Sequence, residues 1–307
     1  MPITRSDFSG PGDLRAMQAM CSRVWSPHSR FHAGQLAWNR YAQPVDPARP
    51  GSGEAISLWW ADGQVVGFAW AESADWLELQ IDAARPDVAE EVAEDVIAWF
   101  EDWSDAPRQT VHVMVDDPSE TALVAAGFRA ERDAWHFTHH VLSLSALPAL
   151  PALPALPRVA GYTLRPVRSD ETAERAAVHR SAWSDIGAAE LTTGAYEQLR
   201  RAWPYRPELD WVVANETGEL VASVIVWLDG TTGVALVEPV GCVPAERGRG
   251  LARAVTVAAL HRARELGAHT ALVTTGGEAD DPGPRRLYET IGFRPVARTV
   301  TWTRSLD

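Results

Sequence analysis

Apolar residues follow two spacings along this chain, and the same order of spacings occurs twice. In the second half, YTLRPVR at 162–168 alternates as a strand does. DETAERAAVHRSAW at 170–183 has helical spacing, with Asp170 near its cap, and a further helix is expected at 193–203. LDWVVANE and LVASVIVWLD are β-rich runs separated by Thr217-Gly218, a hairpin signal. The pattern then predicts a strand at 234–243, a helix at 250–266, a strand at 270–275 and a helix at 284–291. An alternating run, ARTVTWTR, closes the chain.

The first half repeats that order. It predicts a strand near Ile3, a helix at 12–25 and a hairpin at 55–72 that turns at Asp62-Gly63. A strand at 76–82, a helix at 87–103, a strand at 109–115 and a helix at 119–126 follow. Gly127-Phe128 then leads into a last strand, AWHFTHHVL. Each half starts its sheet with a hairpin and intersperses helices, so the class is α+β with a mixed sheet. Between the halves, residues 146–157 read ALPALPALPALP. Proline at every third position removes amide donors and disfavours helix, so an extended, stiff spacer is expected. The alternative for this stretch is a ligand for a proline-binding module. The expected division is 1–145, a linker at 146–158, and 159–307.

Composition narrows the function classes. The formal net charge is -13, and all 28 basic residues are arginine. An acidic chain is a poor partner for nucleic acid, although an acidic cleft suits a cationic small molecule. No run approaches the ~18 apolar residues of a membrane span, and MPITRSDFSG has no apolar signal core, so a cytoplasmic protein is expected. The two cysteines, Cys21 and Cys242, stand far apart and outside any metal-ligand spacing, and no metal is expected. The 14 tryptophans fall mostly on expected strands and helices and read as core, with Trp183 and Trp203 as candidates to stack on a substrate.

Candidate chemistry concentrates between the strand ending VEPVGCVP and the helix LARAVTVAALHRARELG, where the chain reads AERGRG. Glycines at 248 and 250 let backbone approach a ligand closely. Loop and first-turn amides, with Arg247 and Arg249, make an anion site suited to a pyrophosphate. The dinucleotide fingerprint fails, because its third glycine would fall on Arg253, and without lysine there is no P-loop.

Arg247-x-x-Gly250-x-Ala252, directly after a strand and Pro244, resembles the [QR]-x-x-G-x-[GA] motif of the GNAT superfamily of N-acetyltransferases. RRLYETIGF at 285–293 resembles that superfamily's second motif, with tyrosine four residues before Gly-Phe. The resemblance covers roughly residues 161–307. It implies two tandem acyl-CoA N-acyltransferase domains, each a mixed central sheet flanked by helices, and acetyl-CoA as co-substrate. Pantetheine would pair with the backbone of Val240, Gly241 and Cys242. The pyrophosphate would sit on Arg247, Gly248, Arg249, Gly250, Leu251 and Ala252. Tyr288 would protonate the departing thiolate; the alternative for it is a core aromatic.

Glu238 is the candidate base, directly or through water, against a structural glutamate as the alternative. It lies four residues before Cys242, so both belong to one face of a regular strand. Cys242 reads as a small buried residue rather than a nucleophile. Asp281 and Pro284 stand where the superfamily's second motif often has Asn and Ala.

The first half departs from the motif. WLELQID runs into AARPDVAEEVAEDVIAWF with no glycine pair and with Glu90, Glu91, Glu94 and Asp95. Leu123 takes the tyrosine position before Gly127-Phe128. That half is expected to be degenerate, leaving one cofactor site. The resulting expectation is an N-acetyltransferase acting on a small-molecule amine, as monomer or homodimer. Its rival is a non-catalytic CoA-binding or interaction protein on the same fold.

Overall fold

Asp62 and Gly63 both adopt left-handed backbone conformations, at φ 54° and 72°. Such a two-residue turn matches the right-handed twist of the strands it joins. The computed structural model describes residues 2–42, 55–145, 153–185, 191–276 and 283–306. Its first half runs β1 (Thr4–Asp7), α1 (Pro11–Val24), α2 (Ala33–Ala42), β2 (Ala55–Ala61), β3 (Gln64–Ser73), β4 (Trp76–Ile81) and α3 (Pro86–Trp103). It continues through β5 (Arg108–Met114), α4 (Glu120–Ala125), β6 (Arg129–Glu131) and β7 (Phe137–Ser143). The second half runs β8 (Thr163–Pro166), α5 (Thr172–Ala182), α6 (Thr193–Leu199), β9 (Asp210–Ala214), β10 (Leu220–Asp229) and β11 (Val234–Cys242). It ends with α7 (Leu251–Glu265), β12 (Thr270–Gly276), α8 (Gly283–Ile291) and β13 (Arg294–Ser305).

The periodic segments became the elements they predict, with a few informative departures. α2 was not foreseen. Ala33 to Trp38 are all buried, so this helix carries no polar stripe to reveal its period. α6 stops at Leu199, short of the expected 203, because Pro204 disfavours helix at Trp203. The cap of α5 is Glu171 rather than Asp170, and its carboxylate is engaged by Arg165 at 2.5 and 2.7 Å.

The halves share their sheet. Among the described residues, strands are ordered β1-β2-β3-β4-β5-β13-β7-β12-β11-β10-β9-β8, with β6 also on β13. β13 spends Thr299–Ser305 on β5 of the first half and Arg294–Arg298 on β7. β7 in turn pairs with β12 from Thr138↔Thr275 to Ser143↔Thr270. Each half therefore places its last strand among strands of the other half, whose backbone groups satisfy it. Most neighbours are antiparallel; β4 with β5 and β11 with β12 are parallel.

α3 and α4 cover one face of the first half, and α1 packs against Phe68 and Trp70 on the other. α7 and α8 cover one face of the second half. Its opposite face is closed by α5, α6 and, from the first half, α2. A Cβ on Gly34 of α2 would lie 2.2 Å from Cβ of Trp227 on β10, so only glycine allows this approach. The described end of the Ala-Leu-Pro segment, from 153, has no regular secondary structure, and Pro154 O meets His261 Nε2 on α7 at 2.8 Å. Residues 146–152 lie outside the described part. Among the described residues, no helix is long and apolar enough to cross a membrane.

Candidate active site

β11 pairs with β12 only at Val234, Ala235 and Leu236, then parts from it. On its other side it stays paired to β10 as far as Cys242↔Ala222. The register slips by one residue between Val237 and Val240, around a cis Glu238-Pro239 bond. Such a bulge re-aims the side chains that follow it. Val240 and Cys242 consequently pack in the α7 cluster together with Ala235 and Val237. The regular alternation expected for Glu238 and Cys242 does not hold, because the extra residue breaks the period of two. Trp227 Nε1 donates to Glu238 O at 2.6 Å and fixes the bulge.

The loop after β11 makes a single 3-10 turn at Pro244–Glu246 before α7. Gly248 and Gly250 have φ of 80° and 76°, and a Cβ on either would meet nothing within 4 Å. Both are required by conformation, and open space lies above them. No side chain caps α7, so its first-turn amides point outward from the loop. Arg247 is held by both carboxylate oxygens of Asp185, at 2.5 and 3.0 Å, and by the carbonyls of Ala182 and Cys242. Arg249 meets Glu246 Oε2 at 3.1 Å and Tyr162 at 3.2 Å. Arg247 keeps the Asp185 carboxyl below the usual carboxylate range. The glycine cradle, free amides and two arginines fit a pyrophosphate, and the parted strand edge fits a chain of amides beside it.

A cavity of about 730 Å³ opens where β11 and β12 part. Glu238 and Tyr288 both line it, as do Val240, Gly241, Cys242, Arg247 and Ala252. Burial lifts the Glu238 carboxyl to about 7, against a smaller opposing pull from Arg30. Its Oε2 is buried without a hydrogen-bond partner. Tyr288 is 7% exposed; burial, then the charge of Glu238, push its phenol above the ordinary value. The Tyr288 carbonyl accepts from the amides of Gly292 and Phe293, and Phe293 turns back under the tyrosine ring at 5.7 Å. Gly292, at φ 116°, supplies the helix stop that makes this fold-back possible. Burial also raises the Cys242 thiol above its ordinary range.

Sequence reasoning missed much of the cavity wall. Trp38 comes from α2, Trp135 from just before β7, Phe137 from the first position of β7, and His179 from α5. Trp183 lines the cavity as foreseen, whereas Trp203 is covered by Arg15 at 3.5 Å. His179 packs edge-on to Trp38 at 5.3 Å, and burial lowers it to about 3, so the wall there is neutral. Apolar residues within an expected last strand gave no local sign of this use, since only strand exchange brings Trp135 and Phe137 to β12. Pro284 lines the cavity at the start of α8, and Asp281 lies outside the described residues.

A strand that parts from its parallel neighbour, then a glycine-arginine loop opening an uncapped helix, define the class. The Acetyltransferase (GNAT) family model matches residues 175–293, and the chain belongs to this family of acyl-CoA-using acetyltransferases. A mycothiol acetyltransferase of Beutenbergia cavernae is 32% identical over 246 residues, 76% of this chain and 78% of the relative. Two solved structures share the tandem-length fold. A tandem GNAT protein from the clavulanic acid biosynthesis pathway has TM-score 0.61 at 17% identity, covering 99% of this chain and 98% of that one. A GCN5-related N-acetyltransferase from Sphaerobacter thermophilus has TM-score 0.59 at 18% identity, covering 99% and 96%.

Proposed function

We propose that this acetyltransferase takes its acetyl group from acetyl-CoA and moves it directly to the amine of a small molecule. One observation carries this reading most: a buried, unpartnered carboxylate and a protonated phenol share one cavity beside the parted edge of β11. Acetyl-CoA supplies a thioester-activated acetyl group. Val240, Gly241 and Cys242 offer backbone partners to its amide-bearing arm. Arg247 and Arg249 exchange Asp185 and Glu246 for phosphate oxygens, together with Gly248, Gly250, Leu251 and Ala252. Glu238 removes a proton from the amine, which frees its lone pair for attack on the acetyl carbon. Its value of about 7 suits a base working near neutral pH. Tyr288 gives its proton to the departing sulfur; burial keeps that proton in place until the sulfur needs it.

We assign cofactor binding to residues 159–307, and part of the acceptor wall to residues 1–145, joined by 146–158. The acceptor end combines a carboxylate with the aromatic faces of Trp38, Trp135, Phe137 and Trp183, a setting that favours a cationic or amine-bearing molecule. The identified relative makes a mycothiol-related acceptor the first to test. Thiol release from acetyl-CoA, followed against a panel containing such acceptors and simple amines, is the experiment. Release that depends on an amine and yields the acetylated product supports the reading; release without amine transfer defeats it.

A further inference from the structure

Each of the two strands that part carries a glycine with an indole against it. Gly241 lies in the splayed end of β11, where a Cβ would stand 3.1 Å from Trp183 Nε1. Gly276 ends β12, where a Cβ would stand 2.5 Å from Trp135 Cζ2. A strand glycine of this kind admits close approach by its neighbour. From Trp183 the aromatic wall continues through His179, at 6.0 Å, to Trp38 of α2, a further 5.3 Å away. On the other side Trp135 packs edge-on to Phe137 at 4.5 Å and stacks on His112 at 5.5 Å. The Trp135 carbonyl accepts from Thr301 Oγ1 at 2.6 Å. So held, its side chain lines the cavity and is still 45% exposed. Apolar surface kept open at the edge of a cavity marks a place for a ligand to cover.

Polar partners on this wall are few. Among the described lining residues Glu238 is the one acid, and there is no asparagine or glutamine. Arg247 is engaged by Asp185, and Thr275 Oγ1 meets His140 Nε2 at 3.0 Å. Among the described residues, the buried polar atoms of the lining without a partner are Glu238 Oε2 and Trp183 Nε1, one acceptor and one donor. A hydroxyl-rich body would leave most of its hydroxyls unpaired against these rings, at a cost in binding. An aromatic body gains by leaving water there, and its ammonium group is attracted both to the carboxylate and to the ring faces.

We propose that the acceptor is a primary amine carried on an aromatic ring: the amine meets Glu238, the ring lies among Trp38, Trp135 and Trp183, and Trp135 sets the preference for it. This deepens the reading of the cavity as the site of amine acetylation and rests on that reading. The first half of the chain then contributes specificity directly, through Trp38 and Trp135.

The test measures kcat/KM at one pH, by thiol release from acetyl-CoA and product mass, for five amines. They are 2-phenylethylamine, tryptamine, ringless butylamine, hydroxyl-rich glucosamine and a mycothiol-related acceptor. The two aromatic amines are expected to exceed the other three by about a hundredfold or more. Trp135→Ala is expected to lower the ratio of 2-phenylethylamine to butylamine by about tenfold, mainly through KM. Gly276→Ala displaces the same ring without removing it and should lower that ratio in the same sense. The ratio cancels any general loss of active protein. Faster acetylation of glucosamine or of the mycothiol-related acceptor overturns the aromatic assignment and leaves amine acetylation standing. A ratio unmoved in both variants overturns the role of Trp135. Thiol release with no acetylated amine of any kind overturns the underlying reading and this inference with it.

Discussion

Both halves contain a strand that pairs in parallel for three positions and then parts, yet they treat the gap in opposite ways. β4 meets β5 at Trp76, Leu77 and Glu78, as β11 meets β12 at Val234, Ala235 and Leu236. By that register Gln80 stands where Glu238 stands. Gln80 Oε1 accepts the Phe31 amide at 2.9 Å, and Glu78 is held by Arg30, so these polar groups are satisfied by protein. Glu238 Oε2 has no such partner. The following helices differ in the same sense. α3 begins with Pro86, its neighbour Arg85 is tied to Asp87 and Asp62, and buried Asp82 accepts from the Ala84 amide. α7 begins with two left-handed glycines and open space.

The acidic run first invoked against a second site has a smaller part in this. Glu90, Glu91, Glu94 and Asp95 are exposed beyond the first turn of α3, where only Asp87 is acidic. What closes the N-terminal gap is its filling by residues 30–31 and the proline start of the helix. A tandem fold can therefore leave one gap open while the other is filled.

Charge reversal should break this contrast most sharply. Arg247→Glu with Gly250→Glu is expected to lower acetyl-CoA affinity at least a hundredfold by calorimetry, whereas Arg85→Glu on α3 leaves it unchanged. Equal losses would mean that both halves bind cofactor.

Next comes Glu238→Gln, expected to reduce turnover by about 10²–10⁴ and to remove the limb near pH 7. Gln80→Glu should leave that limb in place. Stability moves the other way. A carboxyl raised from 4.5 to about 7 favours folding fully below pH 4.5, and that contribution is lost as pH rises through about 7. Glu238→Gln should therefore be the more stable protein at pH 8, by up to about 3 kcal/mol in denaturant titrations.

Tyr288→Phe should lower kcat by about tenfold or more with acetyl-CoA affinity kept, while Leu123, its counterpart before Gly127-Phe128, tolerates Met without kinetic effect. The smallest expected change is in stability. Gly34→Ala places a methyl 2.2 Å from Trp227 Cβ and should cost about 1–3 kcal/mol in urea unfolding. It should also disturb turnover, because Trp227 holds the Glu238 carbonyl. An unchanged melting curve would show that α2 can withdraw from the second half freely.

Local pattern sufficed for much of the fold. Hairpins, α1, α3, α7 and most strands were legible because a half-buried element must alternate with its own period. α2 was illegible for the converse reason, being buried on nearly every side. The loop motif was legible because left-handed glycines and arginines beside a helix start are local requirements of an anion site. Those requirements are properties of consecutive residues, so the chain alone determined the family, the α+β class and the candidate cofactor loop. The bulge at Glu238, the partners of β7 and β13, and the wall from Trp38, Trp135 and Phe137 were decided by tertiary structure. The strand partners and the wall depend on residues about a hundred or more positions apart meeting in space, and the bulge on how β11 registers against β10; no spacing along the sequence records those meetings.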